Sequence, residues 1–386
     1  MKFDTIKLSE LAAIQTGPFG SQLHKEDYVV HGTPIVTVEH LGSRKFTEQN
    51  LPCVSDKDKE RLKKYVLKTG DIVFSRVGSV DRCSYVSAEY EGWMFSGRCL
   101  RVRPCEKLNP EYLYYFFLLE KTKQFVRNIA TGATMPSINT KFMGEIPIRV
   151  PSLDAQNKIA SILWMIDDKI ELNKKINKNL EQQAQAIFKS WFIDLEPFSN
   201  RKPSDWSVST LGNVSIMGAG GDKPQNVSPI KTDLYKYPIY SNGLSNEGLY
   251  GFTDKPKISE ESVTVSARGT IGFVCLRHIP YVPIVRLVTL TPKTEIISAK
   301  YLYLWLKQLH ITGTGTTQQQ LTVPDFQKTE ILVPSQEIVA LFTATVDPIF
   351  EKIWANQNEN EKLSSLRDTL LPKLMSGELD VSNFDI

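Results

Sequence analysis

Two long stretches of the chain place mostly apolar side chains at alternating spacings of four and three, the seam pattern of paired helices. In the first, Ile166, Ile170, Asn173, Asn177, Leu180, Ala184, Ile187 and Trp191 recur in this way. Adding 183 to each number gives Ile349, Ile353, Asn356, Asn360, Leu363, Arg367, Leu370 and Leu374. Two neighbouring asparagines thus occupy the same seam places in both copies. A buried asparagine costs stability but fixes register, because only one alignment lets the amides pair. Duplication favours pairing over simple solvation, so the two stretches are expected to associate with one another. Pro348, at the start of the second seam, predicts a break between a short helix and a long one.

The same shift relates Gly132 to Gly315 and Pro151 to Pro334. Each proline follows a short apolar run, 146–150 or 331–333, and opens a helical pattern. Elsewhere the repeat is looser. Tyr112-Leu113-Tyr114 matches Tyr301-Leu302-Tyr303, Ser75-Arg76-Val77-Gly78 resembles Ser266-Ala267-Arg268-Gly269, and Leu8-Ser9-Glu10-Leu11 resembles Leu211-Gly212-Asn213-Val214. These offsets drift from 189 to 203, as expected when loops of two duplicated globules change length while the helices do not. Residues 71–75 and 262–266 read as strands that pass through glycine turns, at Gly78 and Gly269, into further strands at 83–86 and 271–276. Residues 111–120 and 299–309 read as amphipathic helices.

The expected fold class is therefore mixed α/β (α+β). Two globules with mainly antiparallel sheets, 1–151 and 200–334, are separated by two long antiparallel coiled-coil helices in 152–199 and 335–386, giving a pseudo-twofold internal repeat.

Composition changes this picture little. With 386 residues, 41% hydrophobic and 23% charged, the chain suits two or three soluble domains. No apolar run reaches bilayer length and Met1-Lys2-Phe3-Asp4-Thr5 does not open a signal peptide, so a cytoplasmic location and no membrane partner are expected. Cys53, Cys83, Cys99, Cys105 and Cys275 form no CxxC pair or Cys/His cluster, which points to reduced structural thiols and no metal site. His24, His31, His40, His278 and His310 share no metal or triad spacing. The net charge of +3 neither demands nor excludes nucleic acid, since a basic surface can be local.

Motifs for catalysis are lacking. There is no GxxxxGK[ST] phosphate loop and no glycine-rich strand–turn–helix suited to S-adenosylmethionine. Asn109-Pro110-Glu111-Tyr112 approaches the Asn/Asp-Pro-Pro-aromatic loop of adenine methylation, but Glu111 spoils its third position and the segment reads better as a helix start. No catalytic residue is expected.

Duplicated globules on paired helices suggest a ruler. Residues 166–191 span about 39 Å as helix, close to the roughly 34–36 Å between neighbouring major-groove faces of B-DNA. Two divergent globules at that separation would suit two half-sites with an unread spacer. Three segments carry a resemblance to specificity subunits of type I restriction–modification systems. Residues 184–198 (AQAIFKSWFIDLEPF) are similar to the end of that family's central helix. Residues 366–379 (LRDTLLPKLMSGEL) resemble its C-terminal signature, and 151–159 (PSLDAQNKI) resemble its helix-opening pattern. The second helix opens Pro334-Ser335-Gln336-Glu337-Ile338 and lacks the expected Leu and Gln.

The resemblance implies that each globule is a target recognition domain for one half of a bipartite site on double-stranded DNA. It also implies that the helices dock two methyltransferase subunits and that restriction–translocase subunits join them. S-adenosylmethionine, ATP and Mg then belong to those partners, and this chain needs no cofactor. A related bipartite-site restriction–methylation system and a scaffold that binds only proteins remain alternatives.

Candidate DNA contacts lie where strands end in tight turns. Ser75, Arg76 and Gly78 form one such loop, and Arg268 and Gly269 its counterpart. An arginine there can bond guanine O6 and N7, hold a phosphate, or simply pair with a carboxylate. Thr134, Asn139 and Lys141, in and after the first Gly-Thr turn, suit phosphate or base contact. In the second globule Thr316, Thr317, Gln318, Gln319 and Gln320 combine small residues with amides able to bond adenine, or form a solvated loop. The correspondence of the two Gly-Thr segments favours one shared functional edge. Gly218-Ala219-Gly220-Gly221-Asp222-Lys223 and Tyr240-Ser241-Asn242-Gly243 are weaker loop signals, the first reading as a mobile loop ahead of a phosphate site, and Lys174, Lys175 and Lys178 suit a solvated helix flank or a DNA or partner contact equally.

Overall fold

The computed structural model describes residues 2–313 and 319–382. They form two compact units: Met1–Leu172 with Asn358–Ile386, and Asn173–Gln357. Each unit therefore contains one globule and part of each of two long helices, Leu153–Phe192 and Gln336–Ser376.

In unit 1 a four-stranded antiparallel sheet runs in the order Ala12–Thr16, Cys99–Pro104, Ile72–Ser75, Cys83–Tyr85. Ile72, Val73, Phe74 and Ser75 are all buried, as a strand covered on both faces requires. Helix Pro110–Leu118 covers one face, with Phe117 edge-on to Phe74 at 4.6 Å. The strands Asp4–Lys7 and Pro147–Val150 pair antiparallel and bring the two ends of the globule together. A second small sheet contains one parallel pair, Thr33–Val36 beside Met94–Phe95.

Unit 2 repeats the plan. Its main sheet runs Ser215–Ala219, Val288–Pro292, Ser262–Val265, Val274–Arg277, again antiparallel. Ser207–Thr210 pairs with Glu330–Val333, and Tyr237–Tyr240 lies parallel to Val282–Pro283. The Tyr-Leu-Tyr repeat has a common structural reason: Tyr112 and Tyr301 both donate to a carbonyl of the closing strand pair, Arg149 O at 2.6 Å and Leu332 O at 2.7 Å.

Asn109-Pro110-Glu111-Tyr112 is a helix start, with Asn109 Oδ1 accepting from the Tyr112 amide at 2.8 Å. Buried Gln156 bonds the backbone at Lys107, Asn109 and Pro151, which fixes the entry into the first long helix. The residue 183 places on is Val339, buried without such bonds, so the second helix opens with apolar packing instead.

The helices run antiparallel within each unit. In unit 1 Asp167 meets Arg367 at 2.8 Å and Lys169 meets Glu359 at 3.3 Å. In unit 2 Asn356 Nδ2 donates to Asn177 Oδ1 at 2.7 Å, and Asn177 Nδ2 donates to Ile353 O at 3.1 Å. Ile170, Asn173, Ile353 and Asn356 are buried; Ile166, Asn177, Leu180, Ile349, Asn360 and Leu363 are half-buried. One seam asparagine of each helix, Asn177 and Asn356, thus pairs with the other.

Pro348 does not break the second helix, which is continuous from Gln336 to Ser376. A proline removes one amide and leaves the carbonyl four residues earlier, here that of Ala344, without its helical partner. Ala344 and Pro348 both face solvent, where water can satisfy that carbonyl.

Candidate nucleic-acid interface

The strand Ile72–Ser75 ends in a loop that projects Arg76 and turns at Gly78, whose φ is +74°. Ser75 is buried and its hydroxyl donates to Val77 O at 2.7 Å, so it shapes the loop and faces no solvent. In unit 2 the loop after Ser262–Val265 turns at Gly269, with φ +68°. A Cβ at either glycine would meet open space, so backbone conformation is what selects glycine there.

In both globules the residues that follow the Gly-Thr segment lie against these loops. The Gly78 amide donates to Pro136 O at 2.8 Å and the Ile138 amide to Arg76 O at 3.0 Å. In unit 2 the Leu321 amide donates to Ala267 O at 3.0 Å. Thr134 and Lys141 in unit 1 and Arg268 and Gln319 in unit 2 are exposed. Asn139 is exposed but caps a short helix, its Oδ1 accepting from the Phe142 amide at 2.8 Å. Thr316, Thr317 and Gln318 lie outside the described residues.

The two arginines are held differently. Arg76 Nη1 donates to Gly97 O at 3.1 Å, and its guanidinium sits 5.6 Å from the ring centre of exposed Phe19. Arg268 donates through Nε at 3.2 Å and Nη2 at 2.8 Å to Gln320 Oε1. Among the described residues neither is neutralised by a carboxylate. An uncompensated, loop-mounted guanidinium can take a phosphate or a guanine edge without first breaking an ion pair.

Sequence reading missed a second arginine on each edge. Arg98 lines an open cleft of about 620 Å³ with Arg76, Phe19 and Tyr28. Arg286 Nη1 reaches the same Gln320 Oε1 at 3.5 Å. Val285 and Arg286 both adopt left-handed φ, 52° and 61°, an unfavourable conformation for a β-branched residue. The Gly218–Lys223 segment supports it: the amides of Val285 and Arg286 donate to Gly221 O at 2.9 Å and Gly220 O at 2.8 Å. Asn242 ties the two loops together, accepting from the Ala267 amide and donating to Val285 O, both at 2.7 Å. The only sequence signal for these residues was the Asn-Gly and Gly-Gly clustering, which could not show what they support.

Comparison with known proteins defines the class. The profile of the family described as Type I restriction modification DNA specificity domain matches residues 1–182 and 203–364, one copy for each globule with adjoining helix. The specificity subunit of the type I restriction enzyme MjaIX of Methanocaldococcus jannaschii is 31% identical over 309 residues, covering 72% of this chain and 71% of its own length. That of the HindI enzyme of Haemophilus influenzae is 26% identical, covering 84% and 89%. The crystal structure of a type I restriction–modification S subunit from M. genitalium shares the fold, with a TM-score of 0.61, 17% identity, and 97% and 96% of the two chains covered. This chain belongs to the family of type I restriction–modification specificity subunits. No helix among the described residues is long and apolar enough to cross a membrane.

Proposed function

We propose that the chain reads a bipartite site on double-stranded DNA, one half-site through each globule, for a complex in which other subunits perform the chemistry. In this reading residues 1–151 and 200–334 are the two recognition domains, and 152–199 and 335–386 carry the docking surface. Two methyltransferase subunits bind there, restriction–translocase subunits join them, and S-adenosylmethionine, ATP and Mg act on those partners. The cytoplasm, where the chromosome lies, is the place of action.

The observation that carries this reading is the duplicated edge. Both globules present an arginine-bearing strand–glycine loop packed against a second loop segment, on a sheet of the same strand order. Duplicated frames with different side chains at their rims suit two readers of unlike sequences.

Co-expression with its methyltransferase partner in a methylation-free host, followed by genome-wide mapping of modified adenines, tests the reading. The expected result is a single motif of two short defined halves around a fixed undefined spacer. A stable complex that methylates nothing would favour the protein-scaffold alternative.

A further inference from the structure

Globules that read different sequences should diverge at the contacts that choose bases and agree at the contacts every DNA duplex offers. This gives a way to sort the edge residues, resting on the reading above. One agreement stands out. In unit 1 Arg98 lies one residue before Cys99, the register partner of Ser75. In unit 2 Arg286 lies two residues before Val288, the register partner of Val265. Both sit in the short connection between the parallel-paired strand, Met94–Phe95 or Val282–Pro283, and the long strand that follows.

The support beneath that connection is duplicated too. The first strand of each main sheet is followed by a glycine, Gly17 or Gly220. A Cβ on Gly17 would lie 2.1 Å from Ser96 O, and one on Gly220 would lie 2.7 Å from Ile284 N. Each glycine amide also bonds the connection's far end, Gly17 to Cys99 O at 3.2 Å and Gly220 to Leu287 O at 2.8 Å. The backbones can approach this closely only without a side chain. Each globule thus fixes a second arginine beside its loop arginine: the Arg76 amide bonds Arg98 O at 2.8 Å, and Arg268 and Arg286 converge on Gln320.

Arg98 and Arg286 are exposed, and among the described residues neither forms an ion pair. What surrounds the pairs does not agree: Phe19 and Tyr28 in unit 1, Gln320 and Val285 in unit 2. We propose that Arg98 and Arg286 are equivalent phosphate clamps, which set each globule's register on the DNA backbone, while the unlike neighbours choose the bases. A shared clamp is what two half-sites of different sequence have in common.

The test uses the chain in complex with its methyltransferase partner, bound to a duplex carrying the mapped site and to an unrelated duplex across a salt series. R98A/R286A should weaken both duplexes by similar factors and flatten the log–log salt dependence by about 1 per arginine. The methylated motif should stay the same, and R98K/R286K should restore most of the slope, because a point charge suffices for phosphate. A motif that loses definition at a base pair in each half, with an unchanged salt slope, would overturn the proposal in favour of base reading. Unchanged affinity and slope would overturn it as well. If the unsubstituted complex itself fails to bind DNA, the functional reading falls first, an outcome distinct from either of these.

Discussion

In unit 1 the globule is tied to the helices by Tyr115, whose hydroxyl donates to Asp167 at 2.7 Å, and Asp167 in turn meets Arg367. In unit 2 the corresponding work falls to Tyr303, which donates to Glu181 at 2.6 Å, with Lys307 at 3.1 Å. The residues differ, yet each is a buried phenol bonded to a helix carboxylate that a cation also holds. At the strand–glycine loops the two globules part company. Arg76 leans on a backbone carbonyl and a phenyl ring, whereas Arg268 and Arg286 share one amide oxygen. The frame thus accepts substitution where the physical role is kept, whereas at the arginine loops the roles themselves change.

The largest expected effect breaks the frame at its closest approach. Gly17→Ala and Gly220→Ala each force a Cβ into backbone, and overpacking of this kind costs about 1–3 kcal/mol. Gly17→Ala should be the worse, since its Cβ would lie 2.1 Å from the nearest atom against 2.7 Å at Gly220. Thermal unfolding of the two variants checks the order, and equal tolerance at both sites would show that the connection is not fixed from below.

A smaller loss is expected at the seam. Asn356→Ala removes the donor to Asn177 Oδ1 and leaves a half-buried amide without that partner, at a cost of about 2 kcal/mol. Denaturant midpoints measure it; no shift would mean that the asparagine pair does not hold the helices in register.

The smallest effect sharpens the anchor comparison. Tyr303→Phe should cost about 1.5 kcal/mol through the lost bond to the charged Glu181. Burial by itself would raise the Glu181 carboxyl, but the Tyr303 hydroxyl and the Lys307 ammonium outweigh it and hold it below the usual carboxylate range. A carboxyl depressed in the folded state contributes stability that is present above its unfolded value and lost as pH falls through the folded one. The acid side of the stability curve should therefore flatten in Glu181→Gln, and a curve unchanged by that substitution would contradict the assignment.

Much of this architecture was legible in the sequence because it is periodic. Helix seams repeat every three or four residues, and the Tyr-Leu-Tyr and Ser-Arg-Val-Gly segments mark strands and helices whose packing leaves little freedom. Pro348 misled because helix breaking depends on whether the freed carbonyl is buried, which spacing does not encode. Arg98 and Arg286 escaped notice because nothing local distinguishes them; their equivalence appears only when Cys99 and Val288 are seen as matching strands. Gly220, read as part of a mobile loop, is fixed by contacts to residues some 64 positions later in the chain, around Ile284.

In the proposed reading the two globules are independent readers built on one frame. Replacing residues 200–334 with the corresponding segment of another specificity subunit, and mapping methylated adenines in cells that also express the methyltransferase partner, tests it most directly. The expected result is a new motif in which one half and the spacer length are retained and only the other half changes. A motif altered in both halves would contradict it.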